Sequence, residues 1–358
     1  MAQDKINRRQ MAAAAFVALL SPVARRFPSS LVMVSGEASW LAAPIAVLPM
    51  IVLAAFMARL LRGGRSLGDV FELSLGRVPG RALTAIISLW LIFYCGFILR
   101  SAAYRFTSTV YPSAAGWIFI VFSALCCLPL ALGRFSAIAR ASVLLQPLLI
   151  AVLAAVFAFA LPGCSAREIF LTPIGEEDVL PLLQSSFTVL NTLSVVCYLG
   201  FAEHHCSEDF RPRLYIGRGL VLLLIAELLC LSCLGVFGAE LTVKLNYPFF
   251  MLVRDMAVFN SFARLEALIL ALWMFADAVH ISLLLQLASG NLRRVTALDS
   301  PWLTVGITAA AAAAGLAMPP GMLGVGLFSE KIVPFGNAVI ILGLLPLVAA
   351  VGWLRKKI

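Results

Sequence analysis

The chain is short of charge. Asp, Glu, Lys and Arg make up 13% of its 358 residues, against about 25% in an average soluble domain. That deficit excludes a soluble enzyme built on a sheet. The alternating apolar and polar residues of a transmembrane β-barrel are missing as well, because the apolar runs are continuous. There is no Walker loop, nucleophile elbow or zinc-protease motif, and nothing spaces Ser, His and Asp as a triad. Neither catalysis nor a cofactor is expected. A disulfide framework is also absent. Of the eight cysteines, Cys95, Cys126, Cys127, Cys197, Cys230 and Cys233 lie inside apolar runs, where a thiol behaves as a small hydrophobe.

What remains is apolar. Hydrophobic residues make up 62% of the chain, and runs long enough to cross a bilayer recur along its whole length. The fold class expected is an all-α polytopic membrane protein, a single integral domain over 1–358. The net charge of +9 does not imply nucleic acid, because the basic residues sit in short loops that fix orientation.

Ten transmembrane spans are predicted, near 10–35, 40–61, 81–109, 115–132, 136–161, 182–203, 215–238, 262–289, 301–317 and 335–354. The first run lacks a convincing small-residue cleavage site and reads as a mature helix rather than a signal peptide. Residues 62–80 are too short and polar to span, and read as a surface helix. Basic clusters follow spans 2, 4, 6 and 8 and mark both ends of the chain, from Arg8-Arg9 to Arg355-Lys356-Lys357. Loops after spans 5, 7 and 9 are acidic or balanced. This alternation places both termini in the cytoplasm.

Two spans are interrupted. Span 1 carries Ser21-Pro22-Val23-Ala24, and span 6 carries Asn191-Thr192-Leu193-Ser194. Proline removes a backbone donor and clashes with the preceding turn, so a break is expected at Ser21-Pro22. Broken helices in corresponding positions of two halves point to a transporter binding site, and these eight residues are the candidate substrate contacts. The competing reading is a bend repaired by neighbouring hydroxyls.

Charge at membrane depth is rare and functional by default. Glu227 lies near the centre of span 7. Asp277 and His280 share one face of span 8, three residues apart. These three are candidate proton-linked groups, or else buried hydrogen-bonding partners that hold helices together. Arg100 and Arg105 are placed near the outer end of span 3, where they can snorkel. Arg25 and Arg26 reach either an anionic ligand or the headgroups. Glu203-His204-His205-Cys206 has no zinc spacing and reads as the interfacial end of span 6, so no metal is expected.

The order of these features resembles the spore germination permease family, the B-subunits of nutrient germinant receptors, within the amino acid–polyamine–organocation superfamily. The resemblance covers nearly the whole chain. It is carried by Arg8-Arg9-Gln10, Phe27-Pro28, the stretch from Ser66 to Gly76, and Ala202-Glu203-His204. It is also carried by Tyr247-Pro248 to Leu287, with Arg254, Phe262, Arg264, Glu266 and Trp273 in order. The chain departs from the family in having Ser21-Pro22-Val23 where glycines are usual, and Ser194-Val195-Val196 where a Gly-x-Glu pattern is common.

The resemblance implies a five-plus-five inverted repeat, about 10–161 and 182–354, with spans 1 and 6 discontinuous around an amino-acid-sized site. It further implies a small-molecule germinant, assembly with A-type and C-type subunits, and residence in the spore inner membrane or cytoplasmic membrane. The function expected is nutrient sensing. The alternative is proton-coupled amino acid transport.

Overall fold

The computed structural model describes residues 5–169, 175–255 and 265–357, with the side chains of all but Arg26, Leu265 and Glu266. Hydrocarbon offers the backbone no partner, so a crossing segment must satisfy its own amides, and a helix does so within one segment. The described residues are accordingly helical. The order is α1 (Arg8–Ser35), α2 (Ala42–Leu60), α3 (Leu67–Leu75), α4 (Arg77–Thr109), α5 (Gly116–Leu132), α6 (Phe135–Ala160), α7 (Ala166–Ile169), α8 (Val179–Ser194) and α9 (Pro212–Lys244). Then come α10 (Pro248–Asp255), α11 (Leu265–Thr296), α12 (Pro301–Ala317), α13 (Gly321–Leu327), α14 (Val333–Asn337) and α15 (Leu345–Leu354). Among the described residues seven helical stretches are long and apolar enough to cross a membrane, and α5 and α12 are shorter apolar helices. The chain is an integral multi-pass membrane protein.

Local chemistry sets the ends. Asn7 caps α1 in a reciprocal box with Gln10, and Ser66 caps α3 in the same way with Asp69, each satisfying amides that a helix start leaves open. The surface helix expected within 62–80 is α3, packed against α4 and α15. Burial raises the Asp69 carboxyl, but hydrogen bonds from Ser66 and Arg294 outweigh it and hold the group below the usual carboxylate range.

The expected break in span 1 takes another form. Arg8–Ser35 is one α-helix with Pro22 and Pro28 inside it. Pro22 has no amide to give to the preceding turn. The helix continues regardless, because Val17, Leu20, Ser21, Val23 and Ala24 are all buried against α6, α9 and α11. Span 6 does change character where its polar stretch ends. It is α-helical to Ser194 and winds as a 3₁₀ helix from Val195 to His205. A 3₁₀ run beyond three or four residues is uncommon and marks strain or a hinge. Span 10 starts earlier than the expected 335, as a helical stretch from Gly321 to Leu354, and is segmented too, with π-helical turns at Phe328–Ile332 and Ala338–Leu344 on either side of α14.

One close approach fixes the packing of α4 on α12. A Cβ added to Gly96 would lie 2.6 Å from the Ala311 carbonyl oxygen, and one added to Gly315 would lie 2.8 Å from the Gly96 oxygen. The two backbones touch, as at small-residue interfaces in membranes. Gly96→Val and Gly315→Val are each expected to cost about 1–3 kcal/mol through overpacking. Melting in detergent measures this. Gly217→Ala, where an added Cβ meets nothing within 4 Å, should leave the midpoint in place.

Candidate functional site

The densest polar cluster lies where α1, α4 and α11 meet. Ser21 on α1 donates its hydroxyl to Oδ1 of Asp277 on α11. Arg105 on α4 donates to Oδ2 of the same carboxylate. Ser21, Arg105 and Asp277 are 0%, 1% and 5% exposed, so the pair is closed off on all sides. The sequence places Trp273 one turn before Asp277, and the Arg105 guanidinium lies 5.1 Å from its ring centre. One turn along α1, Arg25 donates to Ser101 Oγ at 2.8 Å and sits 5.7 Å from the Phe97 ring. Ser101 and Arg105 are four residues apart and so share a face of α4. Among the described residues two buried guanidiniums thus converge on a region with one carboxylate. Arg25 has a hydroxyl and a ring for partners and, among the described residues, forms no ion pair.

His280 sits on the same face of α11 as Asp277. Its ring meets Tyr94 edge-on at 5.6 Å. It is 2% exposed, and neither ring nitrogen has a hydrogen-bond partner. No bond joins it to Asp277, whose oxygens serve Ser21 and Arg105. His280 also lines a cavity of about 20 Å³ between α1 and the 3₁₀ part of span 6, beside Ala18, Leu19 and Tyr198. That volume is on the order of one water, far less than an amino acid needs.

The span 6 candidates form a second neighbourhood. Asn191 Nδ2 donates to the Pro334 carbonyl at 2.7 Å, while its Oδ1 is buried without a partner. Thr192 and Ser194 return their hydroxyls to the Thr188 and Asn191 carbonyls, and Leu193 is buried. Beside them Asn337 Oδ1 accepts from Trp90 Nε1 and from the Tyr198 hydroxyl, each at 3.0 Å. The structure therefore brings Ser21 together with Asp277, and places Asn191 to Ser194 against span 10. Val23 and Ala24 are core residues. Glu227 stands apart on α9, with one carboxylate oxygen buried and unpartnered and no bond to either group among the described residues.

Two readings of the sequence change. Arg105 does not snorkel. It turns inward because Asp277 and the Trp273 face answer its charge and its plane. Glu203, read as the start of the interfacial end of span 6, is not exposed. It forms a buried ion pair with Arg8, at 2% and 1% side-chain exposure. Arg8 donates further to the Asp209 carbonyl at 2.9 Å. Ile6 pairs with the same loop, giving its amide to His205 O at 2.9 Å and accepting from Ser207 N at 3.0 Å. The start of span 1 is thereby clamped to the end of span 6. Asn337, Trp90 and Tyr198 had no signal in the sequence beyond being polar or amphipathic inside apolar spans. Phe262 and Arg264 lie outside the described residues, as do the side chains of Arg26 and Glu266.

Such a bundle, with a sixth span that changes its winding and charge held between α1, α4 and α11, has the architecture of a membrane transporter or permease. Solved structures show the fold directly. A closed, bromovinylhydantoin-bound nucleobase-cation-symport-1 transporter, Mhp1, matches with a TM-score of 0.66 at 14% identity over 98% of this chain and 80% of that one. MhsT in complex with L-phenylalanine matches at 0.67 and 16% identity, over 94% and 88%. A Na⁺-coupled sialic acid symporter, substrate-bound and outward-open, matches at 0.67 and 12% identity, over 95% and 78%. The fold is the five-plus-five inverted repeat of such transporters. Within that class the chain belongs to the spore germination protein family, whose profile matches residues 5–316. No curated protein sequence matches it.

Proposed function

We propose that this chain is the nutrient-sensing membrane subunit of a germinant receptor, using a permease fold to bind a small molecule rather than to move it in bulk. The observation that carries the reading is the charge balance at the cluster. Arg25 and Arg105 are both buried, and among the described residues Asp277 is the one acid that bonds to either. A buried cation without an acid suits a ligand carboxylate, for which Arg forms strong charge-assisted bonds. An amino acid or similar nutrient supplies that group. The proposed site takes Ser21 to Ala24 from one side and Asn191 to Ser194 from the other once the seam between the halves 10–161 and 182–354 parts. The chain is one membrane domain in this reading.

Binding acts by favouring one of two conformations, and the one-water cavity beside His280 requires the seam to part before a nutrient enters. The change would pass to A-type and C-type subunits in the spore inner membrane or cytoplasmic membrane, with both termini cytoplasmic. Transport is the second reading. It is favoured by His280, whose ring nitrogens have no hydrogen-bond partner among the described residues and whose one basic nitrogen can take a proton, one turn from Asp277, with Glu227 as a further candidate.

A ligand screen by calorimetry on the purified chain tests the site. Charge-assisted bonds contribute about 1.5–3 kcal/mol, so Arg25→Gln should weaken binding of the nutrient found by roughly tenfold to a hundredfold. Ser21→Ala and Asn191→Ala should each weaken it less. Full affinity in all three variants would remove the site from these residues.

A further inference from the structure

Far from the central cluster, α11 ends beside a second polar cavity. Gln286, Ser289 and Arg293 recur at spacings of three and four, and so lie on one face. Arg293 is sixteen residues beyond Asp277, about 24 Å along the helix. The cavity measures about 440 Å³ and is closed by the start of α3, the turn between α5 and α6 at Gly133, and the last residues of span 6.

Its wall contains four buried polar atoms without a hydrogen-bond partner: Gln286 Oε1, Ser289 Oγ, Asn291 Nδ2 and Arg293 Nε. Ser289 is 3% exposed and Asn291 6%. Buried polar atoms are nearly always paired, and each exception calls for an explanation. Four on one wall point to a ligand. Asn291 and Arg293 offer N–H donors, and Ser289 offers an O–H. Gln286 offers an acceptor, since its amide nitrogen already donates to the Leu130 carbonyl at 2.8 Å.

The charges in the wall are partly answered. Arg294 is held by Asp69 at 2.7 Å and by Glu72 at 3.0 Å. Arg293 donates one N–H to Thr304 Oγ1 at 3.1 Å, and the acid nearest it among the described residues is Asp299, 3.5 Å away, with the two side chains 38% and 92% exposed. An aromatic pair, Phe135 stacked on His205 at 5.0 Å, closes another side.

We propose that this cavity binds a phosphate oxyanion bearing a hydroxyl, either free phosphate or the glycerol phosphate headgroup of an anionic lipid. The oxyanion oxygens accept from Asn291, Arg293 and Ser289. The hydroxyl, a P–OH or a glycerol O–H, donates to Gln286 Oε1. This site is separate from the nutrient reading and does not depend on it.

Calorimetry on the delipidated full chain tests it, with inorganic phosphate, short-chain phosphatidylglycerol and short-chain phosphatidylcholine as probes. Phosphatidylglycerol is expected to bind and phosphatidylcholine not to. Binding of inorganic phosphate with similar affinity assigns the site to free phosphate, and its failure assigns the site to the lipid headgroup. Arg293→Gln and Asn291→Leu should each weaken binding at least tenfold. A Cβ at Gly290, also in the wall, meets nothing within 4 Å. Gly290→Leu should therefore fold with an unchanged melting midpoint and still block the probe. If neither phosphate probe binds, or if all three variants bind like the parent, the proposal is overturned.

Discussion

Asp277→Leu is expected to cost about 3–5 kcal/mol, because it leaves Arg105 as an uncompensated charge in the bundle. The carboxylate holds Ser21 and Arg105 at once, so its loss frees α1 from α4 and α11 together. Asp277→Leu/Arg105→Leu should recover most of that stability, since replacing both members of a buried pair with apolar side chains is often neutral or better. The double variant should not recover nutrient response.

Arg25→Gln should behave in the opposite way. Its charge is buried with no acid bonded to it among the described residues, and Gln removes that charge. Melting in detergent is therefore expected to show an unchanged or raised midpoint alongside weakened binding. Stability gained at the expense of function is common where a site is strained or unsatisfied. A double variant as unstable as Asp277→Leu would show that the pair is not what binds the three helices.

Glu203→Gln is expected to release the N-terminal clamp. Arg8 is 1% exposed, and without the carboxylate its buried charge loses its ion pair with Glu203. Cys206 reports the release, since its neighbour Ser207 gives its amide to Ile6 and its own amide bonds to Glu203 O at 2.9 Å. Burial pushes the Cys206 thiol up to about 11. Below that pH the nucleophilic thiolate is scarce, and maleimide labelling should rise about tenfold per pH unit between 8 and 10. Freed into water, the thiol returns towards about 8.5. Labelling of the Glu203→Gln chain at pH 8 should then be roughly a hundredfold faster, read at Cys206 by peptide mass spectrometry so that exposed Cys126 does not interfere. Equal rates in the two chains would mean that the ion pair does not close this end.

The helices were legible because hydrocarbon leaves the backbone one solution and because the punctuation is local. Ser66 and Asp69 announce α3 across three residues. Span 7 was expected to stop near 238, and Gly238 is where α9 leaves helical geometry, at φ 68°. Asp277 and Ser21 were legible as polar groups at membrane depth, one by one.

Their meeting was not legible. It joins positions 256 residues apart, and no spacing rule spans that distance. Arg105 was misplaced for the same reason, since nothing near it in the chain shows that Asp277 and Trp273 face it. The unbroken course of span 1 depends on the helices around Pro22, and local propensity argues the other way. The π-turned span 10, which supplies Pro334 and Asn337 to Asn191 and Tyr198, left no periodic signature at all.

In the proposed function this permease fold binds a carboxylate-bearing nutrient at the Arg25–Asp277 cluster without carrying it across the membrane. Proteoliposomes containing the purified chain test it most directly, with a radiolabelled amino acid identified by the screen and an imposed proton gradient. Saturable binding that Arg25→Gln weakens roughly tenfold to a hundredfold is expected, with no accumulation inside the vesicles with the gradient in either direction. Saturable, gradient-driven uptake by the isolated chain would contradict it and make the protein a working transporter.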